Sequence, residues 1–354
     1  MVFHDSLILN TLLVVGGLAM LYFGSEWLVR GSVNIAKRMR VSQLVIGLTI
    51  VAFGTSTPEL VVSTNAAFTG QADIALGNVV GSNIVNVGLI LGLSAAIFPL
   101  AVHVSTIRRE VPIMIGALLA LVALSSFDYV ITQIEGILLV LGLVAFTYFS
   151  YKHARKEEGS SKEQTKSDVV DKHTIPIENI SSVVETASAA TGRRKKGDES
   201  DVQHKDSGIF RSIVLIAVGV VLLYIGATLT VDNAVAIATT IGISERVVGL
   251  TIVAIGTSLP ELITCVVAAR KKLPDLSVGN IVGSNVFNVL AIVGVSAAIA
   301  GISVNPSIFI DYAVMIAFGA VLIPIMRSGF VISRMEGYVL VAAYFVYLIA
   351  LLIM

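Results

Sequence analysis

Two glutamates occupy positions where a carboxylate is expensive. Glu59 and Glu261 each fall inside an apolar stretch, and each closes a G-T-S-x-P-E motif: Gly54, Thr55, Ser56, Pro58, Glu59, and Gly256, Thr257, Ser258, Pro260, Glu261. A charge at the centre of a bilayer costs at least about 2.5–3.5 kcal/mol on insertion scales, so two in matching settings demand compensation. Proline has no N–H and clashes with the carbonyl four residues back, here Gly54 or Gly256. Carbonyls freed in this way are tolerated at membrane depth where they line a polar site. At helical spacing Thr55 and Ser56 share a face with Glu59, and Thr257 and Ser258 share one with Glu261. The segment after each motif adds Ser82 and Asn86, or Ser284 and Asn288, one turn apart. Taken singly, a hydroxyl back-bonds to its own helix and a proline is a kink; beside a buried carboxylate they complete an all-oxygen donor set. With no histidine or thiolate close by, that set suits hard cations. Calcium accepts six to eight oxygens in flexible geometry, and two carboxylates balance one Ca2+ or two Na+.

The two motifs are copies. Residues 47–62 match residues 249–264 at 12 of 16 positions, and residues 77–98 match 279–300 at 14 of 22, both at an offset of 202 residues without a gap. Self-similarity on this scale marks a duplicated unit. Gly77 and Gly81, with Gly279 and Gly283, follow the small-xxx-small spacing that lets membrane helices approach closely.

The elements that carry these residues must cross a membrane. The 354 residues are 55% hydrophobic and 14% charged, with a mean hydropathy of +0.89, against about 25% charged in a soluble domain. A spanning helix needs roughly 20 mostly apolar residues. Ten segments qualify: 7–29, 42–68, 74–99, 110–126, 130–150, 209–231, 245–269, 276–300, 308–326 and 333–353. The first is read as an uncleaved span, since His4 and Asp5 replace the basic leader of a secretory signal. Ten spans with the polar segment 151–208 inside place 23 of the 24 Lys and Arg on one side, only Arg246 lying opposite. That bias fixes the orientation, with both termini outside and the central segment cytoplasmic. Residues 151–208, rich in Lys, Glu, Ser, Asp and Thr, read as a disordered linker, in which Arg193–Lys196 could meet anionic lipid. The expected architecture is therefore all-α and integral to the membrane. Residues 1–150 and 209–354 form two five-helix copies, inverted because five is odd, with broken helices meeting near the midplane.

At the paired G-T-S-x-P-E and G-N-x-x-G-S-N motifs the chain resembles the calcium/cation antiporter family, most closely its prokaryotic-type sodium/calcium exchangers. The resemblance covers both repeats and all of the chain except the central segment. It implies that Glu59 and Glu261 are ligands shared by Ca2+ and Na+, supported by Thr55, Ser56, Ser82, Asn86, Thr257, Ser258 and Ser284. It also implies that backbone oxygens at Ala52 and Ala254 serve outer sodium positions, and that the protein works by alternating access. One position departs from the pattern: such exchangers typically carry an aspartate where this chain has Asn288, so the site holds two formal negative charges rather than three.

The leading expectation is a sodium-driven calcium antiporter of the cell membrane. A calcium/proton antiporter on the same scaffold is the alternative, and a passive cation channel a third. Catalysis is not expected, because no nucleophile–base pair, phosphate-cradling loop or catalytic-metal motif is present. Nor is a cofactor, a nucleic acid or an obligatory protein partner; Ca2+, Na+ and membrane lipid are the implied partners. The single cysteine, Cys265, lies in an apolar segment and reads as a packed thiol.

Overall fold

The computed structural model describes residues 2–39, 41–171, 208–241 and 254–353. In chain order the helices are α1 Val2–Met39, α2 Gln43–Thr55, α3 Thr57–Phe68, α4 Ala72–Ile97, α5 Thr106–Phe127 and α6 Gln133–Asp171. After residue 208 come α7 Ile209–Thr240, α8 Ala254–Thr257, α9 Leu259–Arg270, α10 Pro274–Ala300, α11 Pro306–Arg327 and α12 Arg334–Ile353. Among the described residues eight helices are long and apolar enough to cross a membrane. A ninth span forms if α2 and α3, bent by 51°, are counted together. The expected span 245–269 starts outside the described residues, and α9 supplies its second part. The last helix of the first copy does not stop at Ser150, where the apolar run ends, but continues to Asp171; residues 172–207 of the expected linker lie outside the described residues.

Local sequence sets several helix starts. Thr132 and Glu135 form a capping box ahead of α6: the Thr132 N–H donates to Glu135 Oε2 at 2.8 Å, and the Glu135 N–H donates to Thr132 Oγ1 at 3.3 Å. Ser333 and Glu336 repeat both bonds ahead of α12, at 2.8 and 3.3 Å. Two short ladders, which the apolar pattern did not announce, join the connections between helices. Strand β1 (Leu100–Ala101) pairs antiparallel with β4 (Val331–Ile332), and β2 (Val130–Ile131) with β3 (Ile302–Ser303). Moving from one copy to the other exchanges the first pair for the second, as a two-fold relation between the copies requires.

The spans α4 and α10 are buried along most of their length, whereas α1, α6, α7 and α12 turn residues such as Leu12, Leu141, Val221 and Val346 outward. In a lipid solvent this is the economical order: apolar side chains face the tails, and the serines and asparagines find partners inside. Helices α1 and α7 pack on each other and, with one side of α2 and with Val267, Ala268 and Leu276, form a cluster separate from the core around α4 and α10, which takes Leu44 and Leu48 from the other side of α2. Close approach of α2 to α10 depends on glycine. A Cβ on Gly283 would lie 2.6 Å from the Leu48 carbonyl oxygen, and one on Gly279 would lie 2.6 Å from that of Leu44. No described atom comes within 4 Å of the corresponding positions at Gly77 and Gly81.

Gly283→Val therefore forces the α2 backbone away from α10, at a cost of about 1–3 kcal/mol. A lowered thermal midpoint in detergent is expected, with Gly116→Val as the control because no described atom lies within 4 Å of a Cβ there.

Candidate cation site

Each glutamate sits in the first turn of a helix that begins at a break. Ser56 (φ −82°, ψ 12°) separates α2 from α3, and Ser258 (φ −90°, ψ 9°) separates α8 from α9. Pro58 and Pro260 follow at the start of the new helix, where a missing N–H costs nothing. Glu59 and Glu261 thus lie at the positive ends of α3 and α9, which favours their negative charge. Both are 1% exposed.

The break redirects the serines. Helical spacing pairs Ser56 with Glu59 and Ser258 with Glu261, but the structure crosses them. The Ser56 hydroxyl donates to Glu261 Oε1 at 2.8 Å, and the Ser258 hydroxyl donates to Glu59 Oε1 at 3.1 Å. A residue out of helical register no longer points along its own helix, so each serine reaches the other copy. Ser82 joins the same group, 3.3 Å from Ser258. The crossed bonds gather the two carboxylates, Ser56, Ser258 and Ser82 into one buried polar cluster. Two negative charges enclosed together in an apolar body are stable only with a cation or protons between them.

The threonines of the motif are held by asparagines that the sequence reading did not single out. Thr55 Oγ1 donates to Asn280 Oδ1 at 3.1 Å, and Thr257 Oγ1 to Asn78 Oδ1 at 3.4 Å. Asn78 in turn donates to Ser63 at 2.8 Å, and Asn280 to the Cys265 sulfur at 3.4 Å, so the packed thiol has a definite job as an acceptor. Asn86 donates to Asn285 at 3.0 Å. The missed asparagines were visible as the repeated G-N and G-S-N pairs, Asn78 with Asn280 and Asn83 with Asn285.

Several acceptors remain. Glu59 Oε2, Glu261 Oε2, Asn86 Oδ1, Asn288 Oδ1 and Ser284 Oγ are buried without a hydrogen-bond partner among the described residues. Buried oxygens left in this way are costly unless a ligand takes them, and all five are types that coordinate Ca2+ or Na+. Asn86 and Asn288 each open a wider π-helical stretch, Asn86–Leu91 and Asn288–Val293, a distortion that recurs at functional sites. The Ala52 carbonyl already accepts the Ser56 N–H at 3.0 Å and the Thr55 hydroxyl at 3.4 Å. Ala254 opens α8. No group of three or more His, Cys, Asp or Glu residues occurs among the described residues, so the charge of this site comes from its two glutamates.

Comparison with known proteins agrees with this layout. The pattern of the sodium/calcium exchanger protein family matches residues 9–152 and 211–353, leaving out the polar segment between the copies. Sodium/calcium exchanger MaX1 of Methanosarcina acetivorans is 35% identical over 348 residues, covering 97% of this chain and 98% of that protein. Inner membrane protein YrbG of Escherichia coli is 32% identical over 312 residues, or 88% and 86% of the two chains. The solved structure of the sodium-calcium exchanger NCX_Mj, soaked with zero Na+ and Ca2+, superposes with a TM-score of 0.75 at 28% identity, covering 98% of this chain and 99% of that one. By both matched halves and by the fold that carries them, this multi-pass membrane protein belongs to the sodium/calcium exchanger protein family.

Proposed function

We propose that the chain extrudes Ca2+ across the cell membrane in exchange for Na+, by alternating access, and that its ten spans form two inverted five-helix copies with the central segment cytoplasmic. The observation that carries this reading is the crossed pair of bonds, Ser56 to Glu261 and Ser258 to Glu59. It makes one site from two copies, so that a shift of either copy alters the ligands of both carboxylates. In this reading Glu59 and Glu261 bind Ca2+ directly. Ser82, Ser284, Asn86 and Asn288 supply neutral oxygens, and Thr55 and Thr257 fix the motif turns through Asn280 and Asn78. Ala52 and Ala254 offer carbonyl oxygens to outer Na+ positions. Two negative charges balance either one Ca2+ or two Na+, which is the basis for exchange at a shared site. NCX_Mj, the structural relative, has been soaked with both Na+ and Ca2+, which supports the same pair of substrates here.

The coupling ion is tested in reconstituted vesicles. A sodium gradient is expected to drive Ca2+ uptake that saturates and requires the counter-ion, while a pH gradient in sodium-free medium drives none. Uptake that follows the pH gradient and ignores sodium would transfer the role to protons.

Glu59→Gln and Glu261→Gln are each expected to lower Ca2+ flux by about 100-fold or more with insertion intact, because losing one partner of a buried charged site costs about 3–5 kcal/mol. Normal flux in either variant would remove that glutamate from the site.

Asn288→Asp adds a third carboxylate where the neutral Oδ1 now stands. Tighter Ca2+ binding and a changed transport current are expected; an unchanged current at equal flux would place residue 288 outside the ion path.

A further inference from the structure

A polar cavity that includes neither glutamate in its wall opens where α1 meets α7 and the turn between α9 and α10. Its volume is about 570 Å3, and its polar wall consists of Trp27, Arg30, Asn34, Arg211 and Lys271. Three cations face one carboxylate: Glu26 Oε1 takes Arg30 at 2.8 Å and Lys271 at 2.7 Å. The balance is about two positive charges around a cavity, and the rest of the wall is apolar, including Val33 and Leu215.

The duplicated scaffold does not require this charge. At the offset of 202 the other copy has Leu229 for Trp27, Asp232 for Arg30, Leu9 for Arg211 and Thr69 for Lys271. The basic wall is thus particular to one end of the molecule. That end adjoins the outward apolar faces of both helices, marked by Leu18 and Phe23 on α1 and by Ile213 and Val214 on α7. A cavity with cations at its mouth and an aliphatic approach on two helices fits a molecule that has an anionic phosphate at one end and hydrocarbon at the other.

We infer that this cavity is a binding site for the phosphate headgroup of an anionic phospholipid, with Arg30, Arg211 and Lys271 as the phosphate contacts. Its assignment to the cytoplasmic leaflet rests on the orientation proposed above; the binding itself does not depend on which ion is exchanged. Basic recesses between membrane helices on the cytoplasmic side recognise such headgroups, and each cation near an anionic lipid is worth an enrichment on the order of five-fold. The lipid would bridge α1 and α7 to the α9–α10 turn, reinforcing the tie that Glu26 already makes to Lys271.

Trp27 is the only tryptophan in the chain and lines the cavity, so its fluorescence reports occupancy directly. The full chain is reconstituted with phosphatidylglycerol or phosphatidylcholine carrying dibrominated acyl chains, and Trp27 quenching is measured against mole fraction. Half-quenching by the anionic lipid is expected at a mole fraction lower by about five-fold or more than by the zwitterionic one. The double variant Arg30→Gln/Arg211→Gln should lose that preference. Arg327→Gln, a basic residue outside the cavity, should keep it. Equal quenching by the two lipids, or a preference unchanged in the double variant, overturns the site. Loss of the preference in millimolar inorganic phosphate would also overturn it, since the cavity would then take the free anion. Because quenching is read without transport, failure of the sodium coupling would leave this result standing.

Discussion

Two carboxylates enclosed near each other in an apolar body are the constraint around which the chain is organised. Glu59 and Glu261 are both buried from bulk solvent, and two like charges in one apolar body raise each other's cost. The answer is structural. A serine from the opposite copy donates to each, the first turn of a helix lies beneath each, and buried amide and hydroxyl oxygens surround them. The broken helices, the glycine contact of α2 with α10 and the central placement of α4 and α10 all serve to bring those groups together. A protein that had only to fold would be better served by apolar side chains here, since a buried charged group seldom improves stability. Its retention in duplicate is what a site for cations needs.

Much of this was legible in the sequence, because it rested on repetition. The offset of 202 residues located both motifs, both following helices and the glutamates without any structure. Which side chain meets which was not legible. Spacing along one helix places Ser56 beside Glu59, and only the break at Ser56 shows that the serine leaves its helix and serves Glu261. The asparagines that hold the threonines are 225 and 179 residues away in sequence, so no local pattern could pair them. Span boundaries were soft for a different reason. Apolarity marks where a helix can lie in lipid, whereas α6 continues to Asp171 beyond its apolar run.

The copies are alike where the site needs them and different elsewhere. The bond from Asn78 to Ser63 is matched by one from Asn280 to Cys265, a thiol doing the work of a hydroxyl. Such a swap is tolerated because either atom can accept a hydrogen bond from an amide. The carboxylates themselves are identical, since nothing else in the set carries charge.

The tie from Glu26 to Lys271 has a consequence that follows from symmetry alone. If two separate, identical subunits faced each other upside down, the forms open to either side of the membrane would be related by a two-fold rotation and have equal free energy. Such a machine would idle evenly between them. Joining the copies in one polypeptide removes that obligation, for Thr228 and Thr69 stand where Glu26 and Lys271 would recur and cannot form the same pair. The degeneracy is lifted wherever the copies differ, this ion pair among those places, so in the proposed inverted arrangement the resting posture can be set without touching the cation site.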